Sequence, residues 1–195
     1  MTERFLDPDY LARGNDRQRA AHGVLAEAGI FETLAAFHPM LSGTIPLAID
    51  VAGSDLDVLC EVHDFDAFAE ALCAAYGHRP DFKISDFKRG RDGPYRTASF
   101  SHGGFTVEVF GQAITVTRQG AYRHMIIQAR LLDLGGDGLR GEIAALRRGG
   151  LKTEPAFARR LGMAGDPYVV LLALEEMDDN ALRALLDDAA DPHGG

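Results

Sequence analysis

Apolar residues recur at two different periods along this chain, and the changes of period divide it into elements. Over residues 17–28, Ala21, Val24 and Leu25 share one helical face, with Asn15 placed to cap the helix and Gly29 to stop it. Residues 30–37 read as a second short helix. Gly43-Thr44 ends a short strand, residues 45–49 open the loop after it, and residues 55–62 form a strand. Phe65, Phe68, Ala69, Leu72 and Cys73 then return to helical spacing, which predicts a helix from His63-Asp64 to near Gly77.

From residue 79 to 112 the pattern is strand-like in three pieces, at 81–88, 95–101 and 105–111, divided by Gly90-Arg91-Asp92-Gly93-Pro94 and His102-Gly103-Gly104. The last two pieces pair as a hairpin. Beyond Thr117 the periodicity is helical, at 119–134, 139–147, 154–161, 167–176 and 180–188, with Thr153 expected as a cap and Pro155 and Pro167 near helix starts. The expected fold is α/β (α+β), a mixed sheet flanked by helices and followed by a C-terminal helical segment. Its expected divisions are a core over residues 1–117 and a helical segment over 118–195 packed on that core.

The strand at 55–62 carries the candidate chemistry. Residues i and i+2 of a strand point to one face, so Asp55 and Asp57 present two carboxylates together while Leu56 and Val58 face the core. A later strand, Phe105-Thr106-Val107-Glu108-Val109-Phe110, carries one acid at its centre, and a neighbouring strand brings Glu108 beside the aspartates. Three carboxylates suit hard cations. Gly43 lets a backbone approach phosphates closely, and Thr44 adds a hydroxyl. An Asp-x-Asp pair alone is often turn chemistry or a solvated edge. Here the upstream Gly-Thr, the apolar flanks and the mid-strand acid give it weight together.

Composition narrows the partners. The chain has 195 residues, is 46% hydrophobic and carries a net charge of −9, which disfavours attachment to a long nucleic acid, since that depends on neutralising many phosphates. No run approaches the length needed to span a bilayer, and a soluble cytoplasmic protein is expected. Cys60 and Cys73 are expected to be ordinary buried thiols. Six basic residues nevertheless crowd one segment: Arg79, Lys83, Lys88, Arg89, Arg91 and Arg96. Lys88, Arg89 and Arg91 flank a Gly-rich turn that could close over phosphates or form a solvated hairpin tip. Further on, Arg123 or His124 could face a cleft, a structural role being the alternative for His124.

Leu41-Ser42-Gly43-Thr44, Asp55-Leu56-Asp57-Val58 and Val107-Glu108-Val109 together resemble the DNA polymerase beta-like nucleotidyltransferase superfamily. More narrowly, Leu-Ser-Gly-Thr-Ile-Pro at 41–46, Gly-Ser-Asp-Leu-Asp-Val at 53–58, Ala-Tyr-Arg-His-Met at 121–125 and Lys-Thr-Glu-Pro-Ala-Phe at 152–157 resemble an uncharacterised bacterial family with no function to lend. The superfamily resemblance covers residues 35–115. It implies Mg2+- or Mn2+-dependent transfer of a nucleoside monophosphate from an NTP to a hydroxyl of a small molecule, protein or RNA end. It further implies that Asp55, Asp57 and Glu108 hold two metals and that Gly43 and Thr44 bind phosphate. Thr44 stands where Ser is commoner and Glu108 where Asp is commoner. Residues 45–49 lack the basic residue that many active members place after the Gly-Ser turn, so the basic segment is the candidate substitute. Two other readings stay open. One is a non-catalytic nucleotide-sensing or partner-binding protein; the other is a sugar-nucleotide transferase that uses Asp55 and Asp57 without Glu108.

Overall fold

A computed structural model describes residues 2–90 and 92–190. Helix α1 (Asp16–Glu27) starts at a capping box: the Asn15 side chain accepts from the Gln18 N–H at 2.9 Å, and the Gln18 side chain accepts from the Asn15 N–H at 3.1 Å. Gly29, at φ 61°, supplies the left-handed turn that ends it. The second helix expected at 30–37 is broken. Only α2 (Ile30–Thr33) is α-helical, because Leu34 leaves helical backbone angles and a 3-10 turn, Ala35–Phe37, follows.

After β1 (Met40–Ser42) and β2 (Leu56–Glu61) comes α3 (Phe65–Tyr76). Asp64 caps α3 by accepting from the Asp66 and Ala67 N–H groups. Phe68, Leu72 and Tyr76 form its buried stripe. Cys73 lies one step round from Leu72 and is exposed, so only Cys60 is the buried thiol expected of both.

Four further strands complete the sheet: β3 (Lys83–Ile84), β4 (Lys88–Gly90), β5 (Gly93–His102) and β6 (Phe105–Gln112). The single strand expected at 81–88 is thus two short ones. Between them the Thr97 N–H donates to the Ser85 side-chain hydroxyl at 3.0 Å instead of to a backbone carbonyl, which interrupts the ladder. The sheet order is β1-β2-β6-β5-β3, with β4 also paired to β5. The β2–β6 pair is parallel and the other pairs are antiparallel. The fold is therefore a six-stranded mixed sheet with helices.

Alternation along the strands separates two faces. Leu56, Val58, Cys60, Val107, Val109, Ala98 and Phe100 point into one core together with Val24, Leu25, Phe68, Leu72 and Tyr76 from α1 and α3. Burying side chains of this size stabilises by roughly 1.5–3 kcal/mol each. The opposite face carries Asp57, Thr106, Glu108, Thr97 and Ser99. Ser42, on that face in β1, is covered where its hydroxyl donates to the Ala121 carbonyl at 3.4 Å.

The chain divides into two compact units, one comprising residues 2–46 and 52–122 and holding the whole sheet, the other comprising 47–51 and residues from 123 onward. Helix α4 (Gly120–Arg148) is broken at Gly136, whose φ of 64° is non-helical, matching the Gly-rich joint in the sequence. The second unit also contains α5 (Thr153–Arg160), α6 (Pro167–Ala173) and α7 (Asp179–Ala190). Thr153 is the first residue of α5 and not its cap; Lys152 takes the cap position, without a side-chain hydrogen bond. Within this unit Arg140 donates to the Leu47 carbonyl and Arg147 to the Ile49 carbonyl, which ties the 47–51 segment to α4. Among the described residues no helix is long and apolar enough to cross a membrane.

Candidate active site

Register brings the acids together. In the parallel β2–β6 pair Asp57 stands directly opposite Glu108, and in the β1–β2 pair Ser42 stands opposite Asp57. Asp55 lies just before β2, two residues from Asp57 and on the same face, level with Thr106. Leu56 and Val58, the residues that alternate with them, are fully buried. The carboxyl of Glu108 is pushed above its ordinary value, first by partial burial and second by the negative charge of Asp55. Burial is the larger cause, and the like charge of Asp55 adds to it.

The Gly43 turn is shaped around Asp57. Gly43 has φ 87°, and a Cβ placed on it would lie 2.1 Å from an Asp57 carboxylate oxygen. No larger residue fits there without moving the acid. Beyond Gly43 the Thr44 hydroxyl donates to the Ser54 hydroxyl at 3.4 Å, joining the turn to the residue that precedes Asp55.

Two residues that the sequence did not single out hold these loops. The buried Gln18 amide donates to the Ile45 carbonyl at 2.9 Å and to the Pro46 carbonyl at 3.3 Å, pinning the segment after Thr44. Its neighbour Arg17 donates to the Ser54 carbonyl at 3.4 Å and stacks its guanidinium 3.7 Å from the Phe105 ring centroid at the start of β6. The first turn of α1 therefore touches the Gly-Thr loop, the approach to Asp55 and the strand of Glu108. A Gln three residues after Asn15 is a capping-box signal, but nothing in the sequence tells that the same amide reaches residues 45 and 46.

The basic segment is placed elsewhere. Lys88 and Arg89 are exposed on β4, opposite Tyr95 and Pro94 of β5. Tyr95 in turn stands opposite Gln112, four residues beyond Glu108, or about 13 Å along the strand. Arg96 donates to the Phe65 carbonyl at 2.9 Å, and Arg79 bonds His102 at 3.0 Å, so both serve the packing of their own region. Arg91 lies outside the described residues. Lys83 shares a register row with the acids, because it stands opposite Ser99, which stands opposite Glu108.

In the second unit Arg123 pairs with Glu175 across α4 and the 3-10 turn Leu174–Glu176. His124 is buried, with the Tyr168 ring edge-on at 5.7 Å, and that burial holds its imidazole below the usual range despite Glu154 and Glu175 nearby.

The donor set of Asp55, Asp57 and Glu108 is chemically right for a hard divalent ion, and the crowding of like charge at Glu108 would be relieved by one. Among the described residues no three acidic, histidine or cysteine side chains converge as placed on one ion position.

No curated protein matches the chain in sequence. Among solved structures, that of the GLD-2/RNP-8 complex is similar at a TM-score of 0.51 and 13% identity, over 100% of this chain and 84% of that one. A cytoplasmic RNA terminal U-transferase has a TM-score of 0.49 and 12% identity, over 80% of this chain but only 46% of its own, so this chain spans less than half its length. The mixed α/β architecture is thus similar to nucleotidyltransferase folds. A family described as a domain of unknown function (DUF4269) matches residues 23–174, most of the chain, and the chain belongs to that family.

Proposed function

We propose that this protein is a nucleotidyltransferase that moves a nucleoside monophosphate from an NTP to a hydroxyl acceptor. The observation that carries the reading is the cross-strand pair Asp57–Glu108, with Asp55 beside it and Gly43 folded against the Asp57 carboxylate. The fold similarity supports it. Asp55, Asp57 and Glu108 would hold two Mg2+ or Mn2+ ions, which when bound would neutralise the triphosphate and lower the pKa of the attacking hydroxyl. Gly43 lets the turn close against Asp57, so that phosphates would meet the turn's backbone, and the Thr44 hydroxyl orients them. The acceptor oxygen bonds to the α-phosphorus while the bond to the bridging oxygen breaks, and pyrophosphate leaves with the electron pair. Glu108 would help activate the hydroxyl and take its proton. Lys88 and Arg89, about 13 Å along the strands from Glu108, have no part in this reading.

A second reading is favoured by one feature: residues 45–49 carry no cation, as in a protein that binds a nucleotide without turning it over. Incubation with each α-labelled NTP and Mg2+ or Mn2+, alone and with cell extract, separates the two. Transfer of label by the wild type and not by Asp57→Asn fits the enzyme. Metal-dependent NTP binding without transfer fits the binding protein.

A further inference from the structure

The polar row that contains the acids continues past Glu108. On the face opposite the core it runs through Ser42 in β1, Asp57 in β2, Glu108 in β6, Ser99 in β5 and Lys83 in β3, each opposite the next. The adjoining row confirms the face: Ile84 and its partner Ala98 pack in the core, so Lys83 and Ser99 point away from it. Strands lie about 4.8 Å apart, which puts the Lys83 Cα roughly 10 Å from that of Glu108, within reach of a lysine side chain laid over Ser99. Thr97 and Thr106 share this face, while Ser101 on it donates to Asp81 at 2.7 Å. The floor beyond Glu108 is one of hydroxyls with a cation at its edge.

The chemistry gives this floor a direction. In-line displacement puts the attacking hydroxyl and the leaving pyrophosphate on opposite sides of phosphorus. With the phosphates at Gly43 and Thr44, on the β1 side of Asp57, the hydroxyl must come from the β5 side of Glu108. We propose that Ser99 and Lys83 form the acceptor seat of the site and that the acceptor carries a phosphate within about 10 Å of its reacting hydroxyl, a spacing set by the strand separation. This rests on the nucleotidyltransferase reading for its direction, and on the register alone for its charge.

Two probes share that chemistry and differ in source: a six-residue oligoribonucleotide with a free 3′-hydroxyl, and glycerol 3-phosphate, with glycerol as the uncharged control. Calorimetric titration in Mg2+ with a non-hydrolysable NTP analogue should show wild type binding at least one phosphate-bearing probe. Lys83→Glu should weaken that binding at least tenfold and Lys83→Gln several-fold, while both keep the wild-type Tm and affinity for the NTP analogue. Lys88→Glu should change the affinity less than twofold. Equal binding by wild type and Lys83→Glu, or no preference of wild type for either probe over glycerol, overturns the proposal. Lys83-dependent probe binding without any label transfer by the wild type leaves the anion seat standing and removes the transferase reading instead.

Discussion

At the end of the sheet where β2 and β6 begin, three acids, a Gly-Thr turn and the first turn of α1 meet; four register positions further on, Tyr95 of β5 stands opposite Gln112, and Lys88 and Arg89 of β4 stand opposite Tyr95 and Pro94. The first end is poor in cations and built around close contacts, with Gly43 against Asp57 and Gln18 against two loop carbonyls. The second end is rich in cations and exposed. Charge density along the sequence points to the second end, whereas tight constraint in space points to the first. A site needs groups held in place more than it needs many charges, because only fixed groups act on a reacting atom.

The comparison breaks most sharply at Asp57. Asp57→Asn is expected to abolish label transfer while leaving the Tm at or above the wild-type value, because it removes one of several crowded charges. A large fall in Tm would make the acid structural. Paired glycine substitutions come next. Gly43→Ala forces a left-handed alanine and a clash with the Asp57 carboxylate, and it should cost about 1–3 kcal/mol and much of the metal-dependent NTP affinity. Gly93→Ala, at φ 109° with open space around it, should cost stability through backbone strain and leave that affinity unchanged. Denaturant melts and calorimetry of the two variants check both halves.

Gln18→Leu would leave the Ile45 and Pro46 carbonyls without their buried donor, at about 1–3 kcal/mol, and should loosen the Gly-Thr loop as read by faster amide exchange at residues 43–45. At the other end, Lys88→Glu with Arg89→Glu should alter NTP affinity less than twofold, since about 13 Å exceeds a Debye length of about 8 Å at physiological salt. The smallest effect concerns Glu108. Its raised carboxyl pKa favours the protonated form in the fold, so stability is lost as pH rises from the ordinary glutamate value through the raised folded value. Without divalent ions, Glu108→Gln should therefore raise the Tm slightly at neutral pH and leave it unchanged at pH 3, as calorimetric scans at both pH values would read.

Much of the first end was legible in the sequence. Alternation put Leu56 and Val58 in the core and so Asp55 and Asp57 on the other face; Asn15 marked the start of α1; the Gly-Gly turn marked the β5–β6 hairpin; and Gly136 interrupted α4 where the helical period lapsed. These are local rules. What escaped depends on register between strands far apart in sequence. The pairing of Lys83 with Ser99 and of Ser99 with Glu108 selects one lysine of a basic segment, and no periodicity within residues 79–96 carries that information. The reach of Gln18 to residues 45 and 46 is of the same kind. The split of residues 81–88 turned on one serine hydroxyl replacing a ladder carbonyl, and the exposure of Cys73 on one helical step of about 100 degrees.

Paramagnetic broadening by Mn2+ distinguishes the two ends of the sheet most directly. Titration of the isotopically labelled protein with Mn2+ and a non-hydrolysable NTP analogue should broaden amides at residues 43–44, 55–57 and 106–109 first, spare residues 88–95, and lose that pattern in Asp57→Asn. Broadening centred on the β4 tip, or a pattern at residues 55–57 that survives Asp57→Asn, would contradict the placement of the site at the acids.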